Sequence, residues 1–340
     1  MDGTPRMTKP LHSALRLVAI LLMIVASALP AFAQVTIFSP FNIAEAMDPG
    51  VKKAADIPYA DGQRKKLDIY RPKHMSGPAP VVMFIYGGSW RAGDKFEYEF
   101  AGRALAASGF VTVIADYRLW PDVKYPDFLE DCAQAMRWIQ DNIASYGGDP
   151  KRFFVAGHSA GAYNAIMLGL DSSFRRDYGV TMPIRAIAGI SGPYNFYPFE
   201  YDQVRDTFGA APNPEGTQPI NLVTADAPPI LLASGTTDPI VRMQNSQDLA
   251  RKLREKGVWV TEKYYDGFGH LEPVIALGAM MRFRMPVLHD IVEFFQTFGA
   301  FPSGTPRPVF TPDPPETEMT AVIRKMDEVL APIDGGRRNE

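Results

Sequence analysis

The chain has 340 residues, of which 46% are apolar and 21% charged, with a formal net charge of −3. That balance is typical of an ordinary globular protein with a sizeable core. The densest basic run is only Arg64-Lys65-Lys66, which argues against a nucleic-acid footprint. A single cysteine, Cys132, excludes an internal disulfide framework, and its apolar-periodic position in a predicted helix makes it buried filler.

Residues 1–33 have the layout of a signal peptide. Arg6, Lys9 and Arg16 lead into an apolar stretch over 17–29, followed by the small-residue site Ala31-Phe32-Ala33. The apolar run is shorter than the roughly 20 residues that span a bilayer. A cleaved signal is therefore expected, with no stable membrane anchor afterwards and a mature chain beginning at Gln34 in the periplasm or outside the cell. Cleavage removes three basic side chains and Asp2, which leaves a net charge of about −5.

Two short strands over 55–59 and 67–70 follow, joined by the turn Asp61-Gly62. Continuous apolar runs then predict strands over 80–86, 111–115, 153–156, 184–190, 230–234 and 258–264, alternating with helices over 98–107, 128–145, 163–170, 243–256 and 288–298. Unbroken apolar strands suit a parallel sheet covered on both faces, and the alternation argues for one doubly wound α/β domain over 34–300. Residues 191–229 interrupt the rhythm with a long stretch rich in proline, glycine and aromatic residues. It leaves the carboxyl end of a strand, where open α/β sheets bind ligands. Its aromatics, Tyr194 among them, either line a ligand site or pack the insertion. The tail over 301–340 opens with an extended, proline-rich composition and allows one short amphipathic helix over 318–330.

Within this order, Gly157-His158-Ser159-Ala160-Gly161 stands between the strand at 153–156 and a small-residue helix. A sharp strand-to-helix turn crowds the backbone and leaves the serine hydroxyl exposed, which makes Ser159 a nucleophile candidate. A serine needs a base, and the base needs an orienting acid. Of five histidines, His12 lies in the signal, His74 precedes the sheet, His158 sits inside the turn and His289 falls in the last helix. His270 follows a strand in the glycine-flanked loop Asp266-Gly267-Phe268-Gly269-His270. For the acid, Asp238 lies in the loop after the preceding strand. Asp266 and Glu272 are alternatives, but they stand too near His270 in sequence to approach it from a separate loop. The nitrogen donors for an oxyanion fall to Ala160, directly after the serine, and to the glycine-rich loop Tyr86-Gly87-Gly88-Ser89-Trp90 after the early strand.

These motifs together resemble the α/β-hydrolases of the bacterial esterase/lipase group, related to hormone-sensitive lipase and feruloyl-esterase-like carboxylesterases. The resemblance rests on Tyr86-Gly87-Gly88-Ser89-Trp90, Gly93-Asp94, Asp116-Tyr117-Arg118-Leu119, Gly147-Gly148-Asp149-Pro150, the serine turn, Asp238 and His270. It covers about residues 55 to 300. It implies an α/β-hydrolase fold, with a mostly parallel central sheet and helices on both faces, and a serine carboxylesterase acting on small-molecule esters. No metal-ligand cluster, P-loop or dinucleotide fingerprint stands in the sequence, so no cofactor or metal is expected. The resemblance further implies Gly88, Ser89 and Ala160 as oxyanion donors. Trp90, in the glycine loop, and Tyr194, in the aromatic stretch, are the substrate-binding candidates. Two positions depart from the pattern: Tyr86 replaces a histidine and Ser89 replaces a third glycine. An amide hydrolase on the same scaffold and a non-catalytic binding protein are the rival expectations.

Overall fold

The computed structural model describes residues 38, 40–42 and 50–300. The chain divides into two compact units at Pro40/Phe41. The first lies almost wholly outside the described residues, as do the expected signal peptide and the 301–340 tail.

The second unit is built on an eight-stranded sheet: β1 (Val51–Pro58), β2 (Lys66–Pro72), β3 (Ala79–Ile85), β4 (Val111–Ala115), β5 (Gly148–His158), β6 (Ile184–Ile190), β7 (Ile230–Gly235) and β8 (Val260–Tyr265). Its order is β1-β2-β4-β3-β5-β6-β7-β8. β1 pairs with β2, and β2 with β4, antiparallel; all other neighbours are parallel. Every residue of β3, β4 and β7 is buried. Because side chains alternate between faces, complete burial requires cover on both sides. The continuous apolar runs express that requirement.

The helices are α1 (Glu99–Ala107), α2 (Asp127–Asn142), α3 (Ala160–Leu170), α4 (Ser172–Asp177), α5 (Asp202–Phe208), α6 (Gln244–Glu255), α7 (Glu272–Ile275) and α8 (Val287–Thr297). α1 packs on β2 and β4, and α8 on β6, β7 and α1. α3 lies on β5 and β6 beside α2, and α6 on β7 and β8. Cys132 is buried in α2, where loss of solvent pushes its thiol pKa up. The stretch over 191–229 is more structured than its composition suggests. It holds α5 and two short 3-10 turns, anchored by Phe208, which is completely buried and meets Trp90 edge-on at 4.7 Å.

Candidate active site

The carboxyl ends of β3, β5, β7 and β8 open on one side of the sheet, and each carries one part of the site. After β5, a single residue, Ser159, separates strand from helix. Its φ of 54° and ψ of −125° lie in a strained region for a non-glycine residue, of order 1–3 kcal/mol. The turn is held by the Ser159 N–H donating to the Ile190 carbonyl at 2.8 Å. It also needs its flanking glycines. A Cβ at Gly157 would lie 2.3 Å from the Gly161 oxygen, and one at Gly161 would lie 2.1 Å from the Ile85 oxygen.

Asp238 follows β7 and His270 follows β8, and the two loops are tied together. Thr237 donates both its N–H and its hydroxyl to the Phe268 carbonyl at 3.0 Å, and the Gly267 N–H donates to Thr236 Oγ1 at 2.9 Å. The structure brings Ser159, His270 and Asp238 into one line. His270 Nε2 lies 3.0 Å from Ser159 Oγ, and its Nδ1 lies 2.8 Å from Asp238 Oδ2. The other oxygen, Asp238 Oδ1, accepts the N–H groups of Ile240 and Val241 at 2.9 and 2.8 Å. All three residues are buried. The alternative acids are occupied elsewhere: Asp266 accepts the Thr236 hydroxyl, and Glu272 accepts the Gly269 N–H.

Facing Ser159 is the loop after β3. Gly88 has φ 122°, and Ser89 and Trp90 follow at φ 53° and 59°. The N–H groups of Gly88, Ser89 and Ala160 meet no protein acceptor among the described residues. Tyr86 anchors this loop from below. Its buried hydroxyl accepts from Arg64 at 2.9 Å and donates to Asp116 Oδ1 at 3.2 Å, and its ring stacks on Tyr117 at 4.6 Å. Arg64 also donates to the Gly93 carbonyl at 2.5 Å. Burial raises the Asp116 carboxyl above its usual range, against the pull of the Lys95 N–H and the Arg64 charge.

A cavity of about 330 Å3 contains Ser89, Ser159 and Ala160, and the stretch over 191–229 covers it with Phe196, Tyr197 and Val204. Trp90 lies on its wall but is mostly committed to the core, since its indole N–H donates to Asn164 Oδ1 at 3.0 Å. Tyr194 requires a correction. Its side chain does not line the cavity. It is completely buried, with its hydroxyl filling the space that Gly189 and Gly192 leave: a Cβ at either would lie 2.2 or 2.4 Å from that oxygen. Its main-chain N–H is clamped instead by Asn245 Oδ1 at 2.9 Å.

One functional neighbour was not singled out from sequence. The His158 ring is buried behind the serine turn, with Nδ1 2.9 Å from the Tyr98 hydroxyl and Nε2 3.2 Å from the His270 carbonyl. Burial, and then the neighbouring His270, hold its pKa well below the usual imidazole range. Its place inside the serine motif was the only signal.

Residues 67–253, more than half of the chain, match the BD-FAE family, and the chain belongs to that family. The matched span contains the glycine loop, Ser159 and Asp238 and ends before His270. Among curated proteins, it is 30% identical to a probable isoprenylcysteine alpha-carbonyl methylesterase of Oryza sativa subsp. japonica, over 64% of this chain and 56% of that one. Esterase LipC of Mycobacterium tuberculosis is 31% identical over 58% of this chain and 54% of its own. The chain thus spans about half the length of the curated relatives it matches. Among solved structures, inhibited esterase B from Lactobacillus rhamnosis superposes with a TM-score of 0.67 at 19% identity, covering 84% of this chain and 96% of that one. At that identity the likeness carries the fold, which is that of the α/β-hydrolases.

Proposed function

We propose that this member of the BD-FAE family is an exported serine carboxylesterase. The observation that carries the reading is the continuous line from Ser159 Oγ to His270 Nε2 at 3.0 Å and from His270 Nδ1 to Asp238 at 2.8 Å, bordering a cavity. Ser159 attacks the ester carbonyl while His270 Nε2 takes its proton. Asp238 fixes the ring and stabilises the imidazolium that forms. Negative charge develops on the carbonyl oxygen and is met by the N–H groups of Gly88, Ser89 and Ala160, each worth roughly 3–4 kcal/mol when removed in comparable sites. His270 then returns its proton to the leaving alcohol, and water enters by the reverse route to release the acid. A cavity of about 330 Å3 is small for a ligand site and favours short acyl chains. The relatives named as esterases support the same reaction class.

Ser159→Ala should reduce hydrolysis of p-nitrophenyl butyrate by at least about 10⁴-fold with an unchanged melting curve; retained turnover in folded protein would sink the assignment. Export rests on residues 1–33. Protein recovered from the periplasm or medium should begin at Gln34, and an intact Met1 terminus in the cytoplasm would overturn that part alone.

A further inference from the structure

We infer that His158 is a positioning residue: with Tyr98 it forms a buried neutral strut that fixes the main chain of the base, His270, to the serine turn and the glycine loop. The bond directions follow from chemistry. The His270 carbonyl can only accept, so His158 Nε2 carries a hydrogen and donates across 3.2 Å. That leaves Nδ1 as a bare lone pair, which accepts the Tyr98 O–H at 2.9 Å. Gly87 is pressed against the same ring, since a Cβ there would lie 3.1 Å from His158 Nδ1 and 2.9 Å from Ser159 Cβ.

The bonded chain Tyr98–His158–His270, with Gly87 packed against the His158 ring, therefore joins the nucleophile turn and the base loop to the glycine loop through residues that are at most 4% exposed. His270 is held at two points. Asp238 holds its ring through Nδ1, and His158 holds its main chain through the carbonyl, with the two imidazole rings 4.9 Å apart. Because His158 adjoins Ser159 in the chain, the base is referenced directly to the nucleophile. A second proton on His158 would reverse the direction of the Tyr98 bond and place a charge among buried side chains, which burial opposes. The strut thus stays neutral while His270 charges and discharges in turnover.

The inference rests on the esterase reading, and the experiment separates the two. Three variants are compared by kcat and KM on p-nitrophenyl butyrate, each normalised to serine titrated with a fluorophosphonate. His158→Leu should lower kcat about 10–100-fold with KM within about twofold, the scale expected from a misplaced base. His158→Gln keeps a donor for the His270 carbonyl and should recover most of that loss. Tyr98→Phe retains the ring volume and should lower kcat several-fold at constant KM. If His158→Leu does not fold, Tyr98→Phe and His158→Gln carry the test. Normal kcat in Tyr98→Phe, equal losses in the Gln and Leu variants, or losses that fall on KM would overturn the positioning role. Full activity of Ser159→Ala would instead overturn the esterase reading.

Discussion

Replacing Asp238 by asparagine changes one atom and tests the proposed line of proton transfer. The two oxygens of Asp238 face different partners: Oδ1 accepts two main-chain N–H groups at 2.9 and 2.8 Å, and Oδ2 faces His270 Nδ1 at 2.8 Å. An asparagine of the same shape must point its carbonyl oxygen at the two N–H groups, because the opposite orientation sets its NH2 against both. The NH2 therefore faces His270 Nδ1, which can only respond as an acceptor. The ring proton moves to Nε2, 3.0 Å from Ser159 Oγ, and the base has no lone pair left for the serine. The expected loss in kcat is about 10³–10⁴-fold, or roughly 4–5.5 kcal/mol of transition-state stabilisation. Stability should fall by only about 1–2 kcal/mol, since both main-chain bonds survive and only the charge-assisted one is lost. Asp238→Ala strands both N–H groups and should be the less stable of the two. Initial rates on p-nitrophenyl butyrate with parallel urea melts measure both effects. An asparagine variant within tenfold of the parent would refute the reasoning.

Ser89→Gly relieves a φ of 53° that costs an L-residue about 1–2 kcal/mol, offset by glycine's greater chain entropy. Its melting temperature should hold or rise, and the ratio of hexanoate to butyrate turnover should increase; an unchanged ratio counts against Ser89 as a limit on the cavity. Tyr86→Phe removes the hydroxyl shared by Arg64 and Asp116. It should cost about 1–3 kcal/mol by urea denaturation and lower kcat, and wild-type behaviour would show that the glycine loop stands without it. His158 is neutral in the fold, with its pKa depressed from the usual 6.5. Above that pH neither state is protonated and there is no effect. Below it the unfolded chain binds the proton first, so stability falls by up to about 1.4 kcal/mol per pH unit until the folded-state pKa is reached. His158→Gln should therefore show a flatter decline in melting temperature between pH 6.5 and 5, and parallel curves would refute this.

The central strands were legible because burial on both faces leaves an unbroken apolar record. β1 was less so: it begins at Val51, four residues earlier than its pattern suggests, because most of this edge strand is not buried and leaves little apolar signal. α4, α5 and α7 were missed for a similar reason. With six, seven and four residues, none is long enough to display a helical period. At the site, Ser159 and its glycines were readable because the turn is local, while Asp238 and His270 could be sought at strand ends in a known order. The His158 strut had no such trace. Its partners lie 60 residues before and 112 residues after it, a pairing that only the folded sheet creates. Tyr194 shows the converse. Its aromatic ring in a promising loop was attractive as a ligand contact, but the two glycines beneath it make a socket that draws the ring into the core.

The cover over the cavity separates two kinds of work along the chain. The atoms placed to react come from strand ends that the sheet holds rigidly. The walls come largely from one contiguous insertion between β6 and β7, pinned by a few side-chain bonds: Asn245 to the N–H groups of Tyr194 and Asn195, Gln218 to that of Phe196, and Tyr163 to the Thr217 carbonyl. Phe196, Tyr197 and Val204 can therefore vary while Asn245, Gln218 and Phe208 keep the insertion seated. Under the proposed esterase reading, exchanging that single stretch between relatives should transplant a preference for one ester over another and leave the triad atoms where the sheet puts them.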